Sequence, residues 1–277
     1  MGLTVRPGPD AARYLVAGRG DPVAFPFNLR WLLPTVCGTD LRRWWAVWFA
    51  SWPVLASGAA VWAYQTGLGW WQAVAVAALL VALPGVLQPR STWPVGVDLP
   101  AMAVAVWSAA AFTAGWWWAG VLFAVLAVTI KEHTPVWIAL WSWTVWPLAV
   151  LVVVPLVWLW RRPAIDEVTA MPLLRRVHDH PVRSAWEHHI KHGYRNAWVM
   201  VAPWGVGLAA LLAPSPQLVV TVLVAYAALI VATDTVRVYQ PIASPVVCLT
   251  AVGVIPVQWL LLAVVVHVVW WRDPVTG

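Results

Sequence analysis

Long apolar runs alternate with short polar punctuation along this chain. No Asp, Glu, Lys or Arg occurs in 44–89, 99–130, 133–160, 196–233 or 238–271. Each run is longer than the roughly 20 apolar residues that cross a bilayer as a helix. As one helix, run 44–89 would be about 69 Å long, more than twice the hydrocarbon core, so it must fold back. Gln65-Thr-Gly-Leu-Gly69 supplies the turn and Trp70-Trp71 marks an interface, which predicts spans near 44–64 and 70–88. In 99–130, Ala114-Gly-Trp-Trp-Trp-Ala-Gly120 reads as an interfacial turn between short spans at 100–115 and 118–131. A single tilted helix is the alternative there. Run 134–160 reads as one span, kinked at Pro147 and Pro155 and closed by Arg161-Arg162. Spans at 197–213 and 216–233 are separated by Pro214-Ser-Pro216, and 244–271 is one kinked span or two half-spans about Pro256.

The pattern predicts an all-α fold: a polytopic transmembrane helical bundle of about eight spans, with no soluble domain, multi-pass in the plasma membrane. Four segments follow from it. They are a polar N-terminal segment (1–43), transmembrane helices (44–160), a basic His-rich loop (161–196) and transmembrane helices (197–277). Within the loop, Arg183, Glu187 and Lys191 fall on one helical face and Val182, Trp186 and Ile190 on an adjacent apolar one, the pattern of an interfacial helix.

Composition sharpens this picture. Of 277 residues, 62% are hydrophobic and 10% charged, against about 25% charged in soluble domains. Mean hydropathy is +0.75. There are 25 Trp, the residue of membrane interfaces. Disorder and an ordinary soluble enzyme are excluded. The net charge of +6 is not a nucleic-acid signal, because the bases concentrate in 1–43 and 161–196, where membrane lipids and topology account for them. Cys37 and Cys248 read as two lone core thiols. The scarcity of Lys and Asn beside abundant Arg, Ala and Val points to a GC-rich genome.

In so apolar a chain, the charged residues beside the spans carry the candidate chemistry. Asp10 is a candidate base or metal ligand, and Arg30, set among apolar residues, a candidate phosphate contact. Asp98 stands at the start of a span, where a helix N-cap is the plain alternative. Lys131-Glu132-His133 interrupts two uncharged runs and offers a phosphate contact in Lys131 and a partner or base in Glu132. Asp234 and Arg237 sit at i, i+3. Each cluster has a structural reading as well: a polar tail, a cap, a solvated turn or a local ion pair. His188 and His192 have ligand spacing, but the string Glu187-His-His-Ile-Lys-His192 is not a HExxH zinc motif.

Taken in order, these clusters resemble the GT-C superfamily of polytopic glycosyltransferases. Asp10-Ala-Ala-Arg-Tyr14 is similar to the Asp-x-x-x-Tyr of that family's early external loop. Pro26-Phe-Asn-Leu-Arg30-Trp-Leu-Leu-Pro34 is similar to its Pro-Phe-x-x-Arg-x-Leu-x-Pro. Val97-Asp98-Leu-Pro-Ala-Met102 resembles the acidic start of a later span, Leu126 to Glu132 a hairpin ending in Lys-Glu, and Asp234-Thr-Val-Arg237 a late Arg motif. The chain departs from the family in lacking a span ahead of the Asp loop, an acidic pair and a soluble C-terminal domain, so it resembles a reduced or partial member.

The resemblance implies sugar transfer from a polyprenyl-phosphate-linked donor to a cell-envelope or protein acceptor. Asp10, Asp98 and Glu132 would be catalytic, and Arg30, Lys131 and Arg237 would hold the donor phosphate. The cofactor is left open, a divalent cation being one option. Two other classes compete: a non-enzymatic membrane structural or interaction protein, phage-derived among the options, and a small-molecule transporter. Topology adds a conflict. The resemblance puts 1–43 outside, while its six Arg favour the inside. With five spans between them, 1–43 and 161–196 would lie on opposite faces.

Overall fold

The computed structural model describes residues 10–83, 86, 95–161, 179–187, 200–230 and 236–270. Among these residues there are helices and no strands. The chain divides into two compact units, each built from two stretches of sequence: unit 1 is 1–58 with 89–167, and unit 2 is 59–88 with 168–277.

Unit 1 begins with α1 (Ala11–Gly18) and α2 (Leu32–Cys37), then the first part of the long helix α3 (Leu41–Gln65). Residues 10–43 are folded rather than trailing. The apolar residues Tyr14, Phe27, Leu33 and Trp44 are buried in one cluster with Val97, Ala101 and Ile130. The Tyr14 ring lies edge-on to Phe27 at 5.4 Å, a favoured aromatic geometry.

Helices α5 (Asp98–Thr113) and α6 (Trp117–Ile130) form the hairpin expected over 100–131. Gly115, at φ 77, makes the turn that an L side chain would resist. The two helices approach closely at Gly120, where a Cβ would come within 2.9 Å of the Phe112 ring. There the Gly120 carbonyl accepts a hydrogen bond from Ser108 Oγ at 2.7 Å.

Run 134–160 departs from the single kinked span expected of it. Helix α7 (Thr134–Ser142) ends at Trp143, which adopts the left-handed region at φ 52. The chain then turns back through a 3₁₀ segment (Trp146–Val152) into α8 (Val153–Trp160). Pro147 therefore does not kink a helix. It sits in the first turn of the returning segment, where its missing N–H costs nothing. The far turns of both hairpins are studded with exposed indoles at Trp116, Trp117, Trp118, Trp143 and Trp146. Trp117 and Trp146 meet edge-to-face at 6.2 Å.

Unit 2 contains the end of α3, α4 (Trp70–Ala82), the short α9 (Pro181–Ala185), a 3₁₀ segment (Ala202–Leu212), α10 (Pro216–Ala227), α11 (Val236–Val254) and α12 (Leu260–Trp270). The 3₁₀ segment is broken at Gly205, whose φ of 50 is outside the helical region. Ser215 caps α10 by accepting the Leu218 N–H at 3.1 Å. Residues 238–254 and 257–268 are bent by 115° about Pro256, in keeping with the break expected there. Of the interfacial helix expected in 161–196, α9 and the Arg183–Glu187 pair at 3.0 Å are seen, while Lys191 and Ile190 lie outside the described residues. Cys37 and Cys248 are both buried and free.

Helix α3, at 25 residues, is long and apolar enough to cross a membrane by itself. The bent pair 238–254 and 257–268 reaches that length together. The remaining apolar helices are shorter, 10–17 residues.

Candidate functional site

Four charged residues of unit 1, Arg30, Asp98, Lys131 and Glu132, meet in two ion pairs at one end of its hairpins. The α5–α6 hairpin brings Asp98, at the start of α5, to Lys131, just past the end of α6, and the two form an ion pair. The next residue, Glu132, receives Arg30 from the segment between α1 and α2. Arg30 Nε and one terminal nitrogen each donate to a Glu132 oxygen at 2.8 Å, a bidentate fork. The other terminal nitrogen of Arg30 donates to the Tyr14 hydroxyl at 3.0 Å, which ties α1 into the site. The Arg30 guanidinium also lies 5.3 Å from the centre of the Phe27 ring, and Lys131 Nζ the same distance from that of Trp137.

The third carboxylate is held more loosely. Arg13 approaches Asp10 at 3.3 Å, one turn on in α1. The Asp10 side chain is 24% exposed, against 12% for Asp98 and 17% for Glu132. His133 faces Glu132 at 3.3 Å and packs edge-on against Trp137.

This arrangement sets the protonation states. Burial alone would raise the Glu132 carboxyl, but Arg30, through its charge and its hydrogen bonds, outweighs burial and holds it well below the usual carboxylate range. Burial likewise raises the Tyr14 hydroxyl far above its ordinary value. Arg30 opposes that rise, and the charges of Asp98 and Asp10 add to it. Burial lowers His133, so its imidazole is neutral at pH 7. At pH 7 the site thus holds an anionic Glu132 fork-paired with Arg30, a neutral Tyr14 phenol and a neutral His133 imidazole.

Five of the six site residues expected from sequence, Asp10, Arg30, Asp98, Lys131 and Glu132, fall within unit 1. Four of them form the two ion pairs just described. The sixth is Arg237. It belongs to unit 2, in the first turn of α11, and its side chain, like Asp234, lies outside the described residues. Arg30 and Lys131, the expected phosphate contacts within unit 1, each have a carboxylate partner in this structure.

Two residues carry more than their sequence context announced. Tyr14 bridges α1 to Arg30. Arg161 is brought beside the site because its carbonyl accepts a hydrogen bond from Asn28 Nδ2 at 2.6 Å. The Asp-x-x-x-Tyr spacing pointed to Tyr14, whereas nothing local to Arg161 pointed to Asn28.

A divalent cation fits poorly here. Asp98 and Glu132 are already neutralised by Lys131 and Arg30, and among the described residues no three His, Cys, Asp or Glu side chains gather as a metal set. His188 and His192 lie outside the described residues. Comparisons with models of known families, with curated proteins and with solved structures gave no match to this chain.

Proposed function

We propose that the chain is a multi-pass protein of the plasma membrane with a GT-C-like glycosyltransferase site in unit 1. It would move a sugar from a polyprenyl-phosphate donor to a cell-envelope or protein acceptor. One observation carries this reading: motif segments far apart in sequence supply the two ion pairs at one end of one unit, Arg30 to Glu132 and Asp98 to Lys131. Desolvating such charges costs several kcal/mol per ion, so four of them gathered beside apolar helices suit a site better than a random loop cluster.

In this reading Asp10, the most open of the three carboxylates, takes the proton of the acceptor hydroxyl. The acceptor oxygen bonds to the anomeric carbon of the donor. The bond from that carbon to the phosphate oxygen breaks, and the electron pair leaves with the lipid phosphate. Lys131 and Arg30 offset the developing phosphate charge. Asp98 and Glu132 keep those cations in place until the donor arrives.

Asp10→Asn and Lys131→Ala should each abolish transfer of a radiolabelled sugar by membranes while insertion stays normal. Unchanged transfer in both variants would remove the enzymatic reading. The full pairing of Arg30 and Lys131 favours a second reading, a structural or interaction protein whose ion pairs fix the helix ends. In that case the same substitutions would lower thermal stability without touching any transfer.

A further inference from the structure

The 3₁₀ segment of unit 2 (Ala202–Leu212) is interrupted at Gly205, whose φ of 50 and ψ of −124 break the helical hydrogen-bond ladder. Backbone groups beside such a break need other partners, because a buried, unpaired N–H or C=O is costly. Three side chains supply them, one from each of the three helices α10, α11 and α12. Tyr226 of α10 donates its hydroxyl to the Met200 carbonyl. Gln240 of α11 donates Nε2 to the Pro203 carbonyl at 2.6 Å. His267 of α12 accepts the Val206 N–H on Nδ1 at 3.2 Å.

The third latch differs in kind from the other two. A backbone N–H can only donate, so His267 Nδ1 carries its lone pair and the ring proton sits on Nε2. A proton added to Nδ1 would set one N–H against another, and the bond would be lost. A carboxamide and a phenol keep their protons across the physiological range, whereas an imidazole changes charge within it. His267 is 1% exposed, and its Nε2 is buried with no hydrogen-bond partner among the described residues. In this arrangement an imidazolium would hold two buried donors facing no acceptor, which is costly for a charged group.

The surroundings carry no carboxylate to hold that charge in place. The elements packed against α12 are α4, the broken segment and Val257–Trp259, and none contains Asp, Glu, Lys, Arg or another His. Helix α11, packed on α4 and on the broken segment, adds the buried Tyr239 and Cys248, and α10 adds Tyr226. The side chains of Arg237, Arg272 and Asp273 lie outside the described residues.

A second polar group flanks the break. Gln240, Ser244 and Val247 fall on one face of α11. Gln240 meets Pro203 ahead of Gly205, and Val247 meets Gly207 after it, where a Cβ would come within 3.1 Å of Val247 Cγ1. Between them, the Ser244 Oγ is buried with no hydrogen-bond partner among the described residues.

We propose that His267 is a proton-binding site of unit 2. Taking a proton from water onto Nδ1 releases the segment beyond Gly205 and admits water beside Ser244. Tyr226 and Gln240 keep hold of Met200 and Pro203, so the glycine is the hinge. This device belongs to unit 2 and does not depend on the chemistry of unit 1.

Hydrogen exchange of the purified full-length chain in phosphatidylcholine nanodiscs tests it, with rates corrected for the intrinsic pH dependence of exchange. Between about pH 8 and about pH 5, exchange over 202–212 should rise at least about fivefold, the equivalent of one lost hydrogen bond. In His267→Gln, whose amide oxygen can accept the Val206 N–H and does not titrate, that rise should vanish. In His267→Ala, exchange should be fast at both pH values. A wild-type chain with no rise overturns the proposal without any variant, and so does a rise that persists in His267→Gln. Imidazole ¹⁵N resonances, assigned by the signal missing from His267→Gln, give a second check. At about pH 8 they should show Nδ1 as the unprotonated nitrogen. A proton on Nδ1 there would remove the latch.

Discussion

In unit 1 the polar chemistry is ionic and gathered at one end, with Arg30 on Glu132 and Lys131 on Asp98. Among the described residues of unit 2, the buried polar contacts are neutral and lie along the helices. Gln240 Nε2 donates to the Pro203 carbonyl at 2.6 Å, beside the break at Gly205. The Val206 N–H is accepted by His267 Nδ1 at 3.2 Å. Tyr226 accepts from Trp204 Nε1 at 2.9 Å, donates to the Met200 carbonyl and stacks on Tyr239. The described ion pair of unit 2, Arg183–Glu187, lies on an exposed helix.

The difference follows from desolvation. A neutral hydrogen bond can be buried among apolar helices at little cost and returns about 1 kcal/mol. A buried ion costs several kcal/mol even when paired. Charges are therefore held at a helix end, where part of their hydration survives, while neutral groups serve to patch broken helices.

The largest expected effect tests that contrast directly. Glu132→Ala strands Arg30 without its carboxylate and should lower the stability of unit 1 by about 3 kcal/mol. Adding Arg30→Met should recover most of that loss in thermal unfolding, since the double variant carries no stranded charge. If the double variant is as unstable as the single one, the ionic end is not a charge-balanced unit.

Gly120→Val should cost about 2 kcal/mol, because its new methyl groups meet the Phe112 ring. Unit 2 should respond more mildly: Gln240→Leu takes the neutral Nε2 donor from the Pro203 carbonyl, a loss of about 1–2 kcal/mol.

The pH response should come next. His133 has a lowered pKa in the folded state, so below about pH 6.5 the unfolded chain binds a proton that the folded chain refuses. Glu132 acts in the same direction at lower pH. Its depressed pKa stabilises the fold above the ordinary Glu value of about 4.3, and that contribution fades as pH falls through the folded value. Melting temperature should thus begin to drop near pH 6.5, and His133→Gln should flatten that first decline. The smallest effect belongs to unit 2: Arg183→Ala on its exposed helix should cost no more than about 0.5 kcal/mol.

Much of this was legible from residue patterns, for reasons visible at particular positions. Charged residues in an apolar chain are conspicuous, so Asp10, Arg30, Asp98, Lys131 and Glu132 could be singled out before their contacts were known. The turn of the α5–α6 hairpin was marked by Gly115 among Trp residues. The fold-back at Trp143 was not marked, because no glycine, proline or charge announces a left-handed tryptophan. Pro147 was visible but ambiguous, since a proline suits both a kink and a first turn. Arg161 looked like a closing charge because its partner, Asn28, is 133 residues away. The neutral network of Gln240, His267 and Tyr226 gave no signal, since isolated polar residues in apolar runs are as readily lone core groups.

One property of the α5–α6 hairpin has a bearing on the surrounding bilayer. At 16 and 14 residues, α5 and α6 are about 24 and 21 Å long. Indoles mark the far end of this slab and ion pairs the near end. In the multi-pass arrangement proposed above, a hydrocarbon layer of about 30 Å would have to shrink by roughly 6–9 Å against this face. Acyl chains there would be compressed and the two headgroup planes drawn together. The protein would accordingly partition toward thin, loosely packed membrane and away from thick, ordered domains.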